Sequence, residues 1–137
     1  MESVFEKMGS RPERINKIPT EAQEQTTLFQ WAAYRRELEL RSMFAIPNGG
    51  SRNQIEAVHL KQQGVKAGVP DIFVPCMRGG YGGLFIEMKR RKGGRLSEAQ
   101  KEMIDNLRCC GYRVEVCEGW EEARDTICEY LREGNDK

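Results

Sequence analysis

Between Pro70 and Lys89 the chain carries two short apolar runs on either side of Gly79, Gly80, Gly82 and Gly83, and no other stretch constrains the fold as tightly. Asp71-Ile72-Phe73-Val74-Pro75 reads as a strand bounded by prolines, with Pro70 at a tolerated entry position. Leu84 to Lys89 reads as a second strand, whose Leu-Phe-Ile run predicts cover on both faces. A short connection between two strands favours antiparallel pairing. Positions 71 and 87 are equidistant from Gly79, so a symmetric hairpin sets Asp71 across from Glu87, with β-carbons about 4.5–5.5 Å apart. Side chains alternate along a strand, so Lys89 shares the Glu87 face while Met88 points the other way.

Two carboxylates so opposed repel unless positive charge sits between them. A divalent cation resolves the conflict. Asp71, Glu87 and the backbone carbonyl of Met88, with remaining positions left to water, suit Mg²⁺, which prefers oxygen ligands and keeps several waters. Mn²⁺ is expected to substitute. The competing reading makes Asp71 a turn cap beside Pro70 and puts Glu87 and Lys89 on a solvated strand edge. A P-D…E-x-K pattern alone is weak; its weight comes from acids that oppose each other at the ends of apolar strands.

Around the hairpin the pattern alternates helix and strand. Thr20 can cap a helix running to about Leu38, with Leu28, Trp31, Ala32 and Leu38 as its apolar stripe. Met43 to Pro47 reads as a short buried strand and Asn48-Gly49-Gly50 as a turn. Ser51 and Gln54 have capping-box spacing for a helix ending at Gly64. Ser97 and Gln100 offer another capping box, opening a helix through Met103, Ile104 and Leu107 to Gly111. Tyr112 to Cys117 is a last strand, and Trp120, Ala123, Ile127 and Leu131 repeat at helical spacing. This order belongs to an α/β sandwich around a central mixed sheet. Residues 1–19 show no sustained periodicity and read as a mobile N-terminal arm, leaving 20–133 as one domain.

Composition narrows the function classes. With 22 Lys+Arg against 21 Asp+Glu the formal net charge is +1, so any attraction to nucleic acid must be local. No run approaches the roughly 18 apolar residues of a membrane span, and the polar N-terminus lacks a signal-peptide layout, so a cytoplasmic protein with no membrane partner is expected. Cys76, Cys109, Cys110, Cys117 and Cys128 contain no C-x-x-C pair and read as reduced thiols, each expected to pack in the interior. With His59 as the single histidine, a zinc site has little support.

Gly68-Val69-Pro70-Asp71, Phe85-Ile86-Glu87-Met88-Lys89, Leu96-Ser97-Glu98-Ala99-Gln100 and Gly111-Tyr112-Arg113-Val114 together resemble the VRR-NUC branch of the PD-(D/E)xK nuclease superfamily, in a stand-alone form typical of phages and prophages. The resemblance runs from about Thr20 to Leu131. It implies a restriction-endonuclease-like α/β/α fold, Mg²⁺ or Mn²⁺ dependence and hydrolysis of DNA phosphodiesters. For a stand-alone member it further implies a homodimer similar to Holliday-junction resolvases, acting on branched DNA in the host cytoplasm. Residue by residue, Asp71 and Glu87 become metal ligands and Lys89 the catalytic lysine, which would orient the attacking water or stabilise developing charge.

The resemblance also implies a first-helix glutamate in the metal shell. Glu21 and Glu24 both lie on the stripe that carries Leu28. Glu21 followed by Gln25 better matches the branch's E-x-x-x-Q spacing and is preferred, with Glu24 left open; either could instead be an ordinary first-turn acid. Gln100 poses a similar choice. The capping box alone would explain it, yet it shares a face with Met103, Ile104 and Leu107, which fits a side chain bonded to the active-site water or lysine. For DNA contacts, Arg90, Arg91, Lys92 and Arg95 follow the catalytic strand directly, Asn48 and Arg52 resemble the branch's P-N-G…R segment, and Lys61 and Lys66 extend the track. The leading expectation is a structure-selective endonuclease. A flap or nicking nuclease that works with a partner, and a non-catalytic DNA-binding module of the same fold, are the alternatives.

Overall fold

The computed structural model describes residues 17–47 and 53–132. Thr20 opens the first helix as expected. Its hydroxyl accepts from the Gln23 N–H at 3.1 Å while the Gln23 side chain accepts from the Thr20 N–H at 2.9 Å, pairing N–H groups that a helix start otherwise leaves open. This helix, α1 (Glu21–Ala33), stops at Tyr34, and a second one, α2 (Leu38–Ser42), follows. The uninterrupted helix to Leu38 is therefore corrected. The break turns Leu40 and Met43 into the core and leaves Leu38 76% exposed. Burying two large apolar side chains outweighs one further turn of helix.

The remaining elements are β1 (Phe44–Ala45), α3 (Gln54–Gln62), β2 (Ile72–Val74), β3 (Leu84–Lys89), α4 (Glu98–Cys109), β4 (Arg113–Glu118) and α5 (Trp120–Arg132). They form an α/β/α sandwich around a mixed sheet of order β1-β2-β3-β4, antiparallel except for the β3–β4 pair. Asn53 caps α3, its Oδ1 accepting from the Glu56 N–H at 2.8 Å, where Ser51 was the expected cap. Ser51 lies outside the described residues, as do the turn Asn48-Gly49-Gly50, Arg52 and the first sixteen residues of the expected arm. Among the described residues no helix is long and apolar enough to cross a membrane.

Alternation along β3 divides its side chains between two environments. Leu84, Ile86 and Met88 face α1 and α5 and join Leu28, Ile72, Val74, Ala123, Ile127 and Tyr130 in one buried cluster. Phe85, Glu87 and Lys89 face the opposite side, where α4 brings Gln100 to both Glu87 and Lys89. Cover on both faces is why β3 reads as a nearly unbroken apolar run until Glu87. Of the cysteines, Cys117 is buried, but Cys109 and Cys110 are exposed at the end of α4, correcting the expectation that each packs inside.

The hairpin register is as expected, by a route the symmetric argument did not contain. Ile72 pairs with Ile86 and Val74 with Leu84; Asp71 stands just outside β2, where one further step of this register leads to Glu87, and its N–H donates to the Ile86 carbonyl at 3.0 Å. The tip is a two-residue turn, Gly79-Gly80, closed by Arg78 and Tyr81, and both glycines have the positive φ that such a turn demands. That tip alone would shift the register by one residue. Pro75, Cys76 and Met77 face only Gly82 and Gly83, and this one-residue bulge restores it. Tyr130 Oη donates to the Cys76 carbonyl at 2.6 Å and Arg78 Nη1 to the Met77 carbonyl at 2.8 Å, so the bulge keeps its polar groups paired.

Candidate active site

The expected residues meet where β2 begins and β3 ends. Asp71 Oδ2 accepts from the Met88 N–H at 2.8 Å, which fixes the Asp71 side chain against the terminal stretch of β3. A strand residue aims its N–H and its C=O at the same edge, so the Met88 carbonyl faces the Asp71 side as well. Glu87 is 2% exposed and Lys89 8% exposed. Lys89 Nζ lies 3.7 Å from Glu87 Oε2 and donates to Gln100 Oε1 at 3.2 Å.

Gln100 makes the hydrogen bonds of both readings that its sequence position left open, to the helix cap and to Lys89. Its Oε1 accepts from the Ser97 N–H at 2.8 Å, completing the capping box of α4, and its Nε2 donates to Glu87 Oε2 at 2.9 Å. The amide orientation follows from this network, since Oε1 faces two donors and Nε2 faces a carboxylate. Gly68 brings α4 this close. A Cβ there would stand 2.4 Å from the Ala99 carbonyl oxygen and 2.9 Å from the Gln100 nitrogen, and its φ of +85° is one that a side chain disfavours. Gly94 has a comparable role on the loop after β3, where a Cβ would meet that of Lys89 at 3.1 Å.

One oxygen of this cluster is left over. Glu87 Oε1 is buried without a hydrogen-bond partner. Burial first, and then the charge of Asp71, push the Glu87 carboxyl up to about 8, only partly offset by Lys89. Glu21 adds the smallest part of the same repulsion. Among the described residues no three His, Cys, Asp or Glu side chains converge closely enough to hold an ion by themselves. The set is therefore two acids in contact with a third standing off. A buried acceptor pressed against a second carboxylate fits an oxygen-seeking divalent cation that keeps part of its water.

Glu24 has a different place. Its carboxylate is 1% exposed and fully engaged, accepting from Arg91 Nε at 2.7 Å, from Arg91 Nη2 at 3.4 Å and from the Trp120 N–H at 3.0 Å. It is not free to join Asp71 and Glu87, which corrects its candidacy as a metal ligand. Arg91, expected on DNA, is committed to Glu24 and to Glu121 at 3.2 Å. Arg90, Lys92, Arg95, Lys61 and Lys66 are exposed, whereas Asn48 and Arg52 lie outside the described residues. His59 is exposed on α3. An open surface hollow of about 570 Å³ along α1, beside Ala22, Gln25, Phe29 and Ala33, is lined by no charged group and is not where the acids meet.

Sequence reasoning missed the Glu24–Arg91 pair and the Gly68 contact. A signal for the pair existed. Glu24 precedes Leu28 by one turn, so it must point inward, and an inward acid needs a cation. Arg91 continues the alternation of Glu87 and Lys89.

The model of the VRR-NUC domain family matches residues 9–121 of this chain. Among solved structures, one described as a "VRR_NUC domain protein" is similar at 31% identity with a TM-score of 0.77, over 86% of this chain and 93% of that one. No curated protein matches.

Proposed function

The chain belongs to the VRR-NUC family, and from that premise we propose that it is a metal-dependent endonuclease that cuts DNA phosphodiesters at Holliday junctions or similar branches, acting as a homodimer in the cytoplasm. The observation that carries the reading is the buried, unpartnered Glu87 Oε1 opposite Asp71, beside a lysine whose ammonium is already at the site. Asp71, Glu87 and the Met88 carbonyl would hold Mg²⁺ or Mn²⁺, with Glu21 reaching it directly or through water. Such an ion supplies Lewis-acid stabilisation of phosphoryl charge and a more acidic bound water.

The chain's own residues do the rest. Lys89 keeps donor capacity beyond its bond to Gln100, so Nζ can reach a phosphate oxygen or orient the attacking water. Gln100 holds Glu87 and Lys89 at a fixed separation by bonding to both. Arg90, Lys92, Arg95 and Lys66 lie in the open and bind backbone phosphates, which carry affinity without sequence information. Asn48 and Arg52 are assigned to the same track from their sequence context alone.

The test is cleavage of junction, flap and linear duplex DNA by wild type and Lys89→Ala, with Mg²⁺, Mn²⁺ or chelator. Wild type should incise the junction in paired strands only with metal, and Lys89→Ala should lose cleavage by about 10²-fold or more while retaining binding. Efficient cutting of duplex with an intact junction removes the resolvase assignment. Flap cutting by a monomer favours the partner-dependent alternative. Binding without any metal-dependent cutting leaves a non-catalytic module.

A further inference from the structure

We infer that Phe44, Phe73, Phe85 and Tyr112 form a stacking platform for an unpaired nucleobase beside the acid pair, and that this platform supplies the preference for branched DNA. The inference rests on the proposed nuclease reading and deepens it by naming the part of the DNA that tells a branch from a duplex.

The row of rings follows from strand alternation. Phe44 pairs with Phe73 and Phe73 with Phe85, so the three side chains share one face of β1, β2 and β3. Phe44 and Phe73 have ring centroids 5.8 Å apart, Phe73 and Phe85 4.4 Å apart, and Tyr112 closes the far end 5.3 Å from Phe85. Gly82 and Gly83 make room for them: a Cβ at Gly83 would stand 2.6 Å from the Phe73 ring, and one at Gly82 3.3 Å from that of Tyr112. The row lies outside the core. The buried cluster takes Ile72, Val74, Leu84 and Ile86 from the opposite face of the sheet and includes none of the four rings. Phe44 is 49% exposed and the other three are half-buried. On the side of the rings α4 packs on β4 and reaches β3 through Gln100, and the row runs away from it to β1 at the sheet edge.

What adjoins the row fixes its occupant. Phe73 stands two residues from Asp71, and Phe85 two from Glu87, so rings and acids take successive places on the same face, about 6–7 Å apart along the strands. One nucleotide spans such a distance from its phosphate to its base. A ligand seated across both places carries a phosphate at one end and a flat apolar ring at the other, which describes a nucleotide and neither a lipid chain nor an apolar peptide. Inside a duplex each base is covered by its neighbours, whereas a branch or a gap leaves a face free at little unstacking cost. Every base has such a face, so the platform reads an interruption of the duplex without reading sequence. The exposed cations Arg90 and Lys92 hold phosphates of branched and linear DNA alike and do not make this distinction.

The experiment measures binding of the full chain, with chelator present, to an intact duplex and to a gapped duplex carrying 2-aminopurine at its unpaired position. Wild type should prefer the gapped DNA by about 10-fold and quench the 2-aminopurine fluorescence by stacking. Phe44→Ala and Phe44→Leu should each lose the quench and about 5–10-fold in affinity for the gapped DNA, with duplex binding unchanged, while Phe44→Trp keeps both. Phe73→Leu should weaken both signals, and Tyr34→Ala, which removes an 89% exposed ring at the end of α1, should alter neither. Raising the salt should lower affinity for both DNAs and leave the preference in place, since stacking releases no counterions. Absence of preference or quench in wild type overturns the inference, as does wild-type quenching by Phe44→Leu. A Phe44→Ala variant that loses melting temperature but keeps the preference overturns it too, because the row would then serve packing alone. Should Phe73→Leu not fold, the Phe44 series decides. Preference and quench without metal-dependent cutting would count against the proposed reaction and leave the platform standing; junction cutting without quench would do the reverse.

Discussion

Two corners of the molecule each bury a glutamate almost completely, and they treat it in opposite ways. At Glu24, 1% exposed, both oxygens accept hydrogen bonds and the carboxyl is held below its ordinary pKa. At Glu87, 2% exposed, one oxygen has no donor, a second acid stands opposite, and the carboxyl is pushed up to about 8. A buried charge must be paired or it costs free energy. The first corner obeys that rule within the chain; the second pairs one oxygen with Gln100 and Lys89 and leaves the other, opposite Asp71, to a proton or to something bound from outside. Equal burial with unequal pairing separates a residue that holds the fold from one that the fold holds for chemistry.

The sharpest way to break this contrast is to remove each acid in turn. Glu87→Gln should lower cleavage by about 10²–10³-fold, the size associated with deleting a group that stabilises transition-state charge. The metal-free protein at pH 8 should nevertheless be more stable than wild type, because an amide can donate to Asp71 where a carboxylate repels it. Glu24→Ala should do the reverse and lower stability by about 3 kcal/mol. That is the lower end for breaking a buried pair, since the Arg91 side chain is 41% exposed and can turn to water. Denaturation and single-turnover cutting on the same preparations compare the two. If Glu87→Gln destabilises as much as Glu24→Ala, the distinction is lost.

The next test moves the support rather than the acid. Gly68→Ala places a methyl 2.4 Å from the Ala99 carbonyl oxygen at a φ of +85°. Left-handed strain of about 1–2 kcal/mol, together with the displaced start of α4, should cost about 2–3 kcal/mol and carry Gln100 away from Glu87 and Lys89. Cleavage should fall about 10-fold or more. Gly64→Ala is the matching control, because its φ is +100° but nothing lies within 4 Å of the added Cβ. It should cost about 1 kcal/mol and leave cutting intact. Equal losses of activity in the two variants would mean that Gly68 acts only through backbone strain.

The sequence made the Glu87 corner legible and the Glu24 corner nearly invisible, for a physical reason. Hairpin pairing is a local rule, so the opposition of Asp71 and Glu87 could be read from alternation and a turn, even though the register is reached through a Gly79-Gly80 tip and a compensating bulge at Pro75–Met77. Gln100 was half legible, because a capping box is also local while its bonds to Glu87 and Lys89 cross thirteen and eleven residues. Glu24 meets Arg91 across sixty-seven residues and Trp120 across ninety-six, and no periodicity encodes such a meeting. For the same reason Arg91 looked like one more cation in a basic run. The early end of α1 was hidden because it depends on Leu40 finding the core, a tertiary event that outweighs helix propensity.

The smallest expected effect is also the one that separates the two acids by sign. Glu24 has a folded pKa below its unfolded value of 4.5, so its contribution is present above that value and is lost as pH falls through the lowered one. Glu87 has a folded pKa raised from 4.5 to about 8, so between these limits the native state binds more protons than the unfolded chain, and stability falls as pH rises. Metal-free protein should therefore be most stable near pH 5 and lose a few degrees of Tm by pH 8. Mg²⁺ should restore more at pH 8 than at pH 5, since the cation competes with the proton that Glu87 otherwise keeps. Calorimetric melts with chelator and with Mg²⁺, repeated on Glu87→Gln, measure both slopes. The variant should lose the decline above pH 5 and keep the decline below it, because Glu24 and Arg91 are untouched. A wild-type Tm that rises from pH 5 to 8 without metal would mean that Glu87 is charged there without a cation, and that its corner is an ordinary ion pair with Lys89.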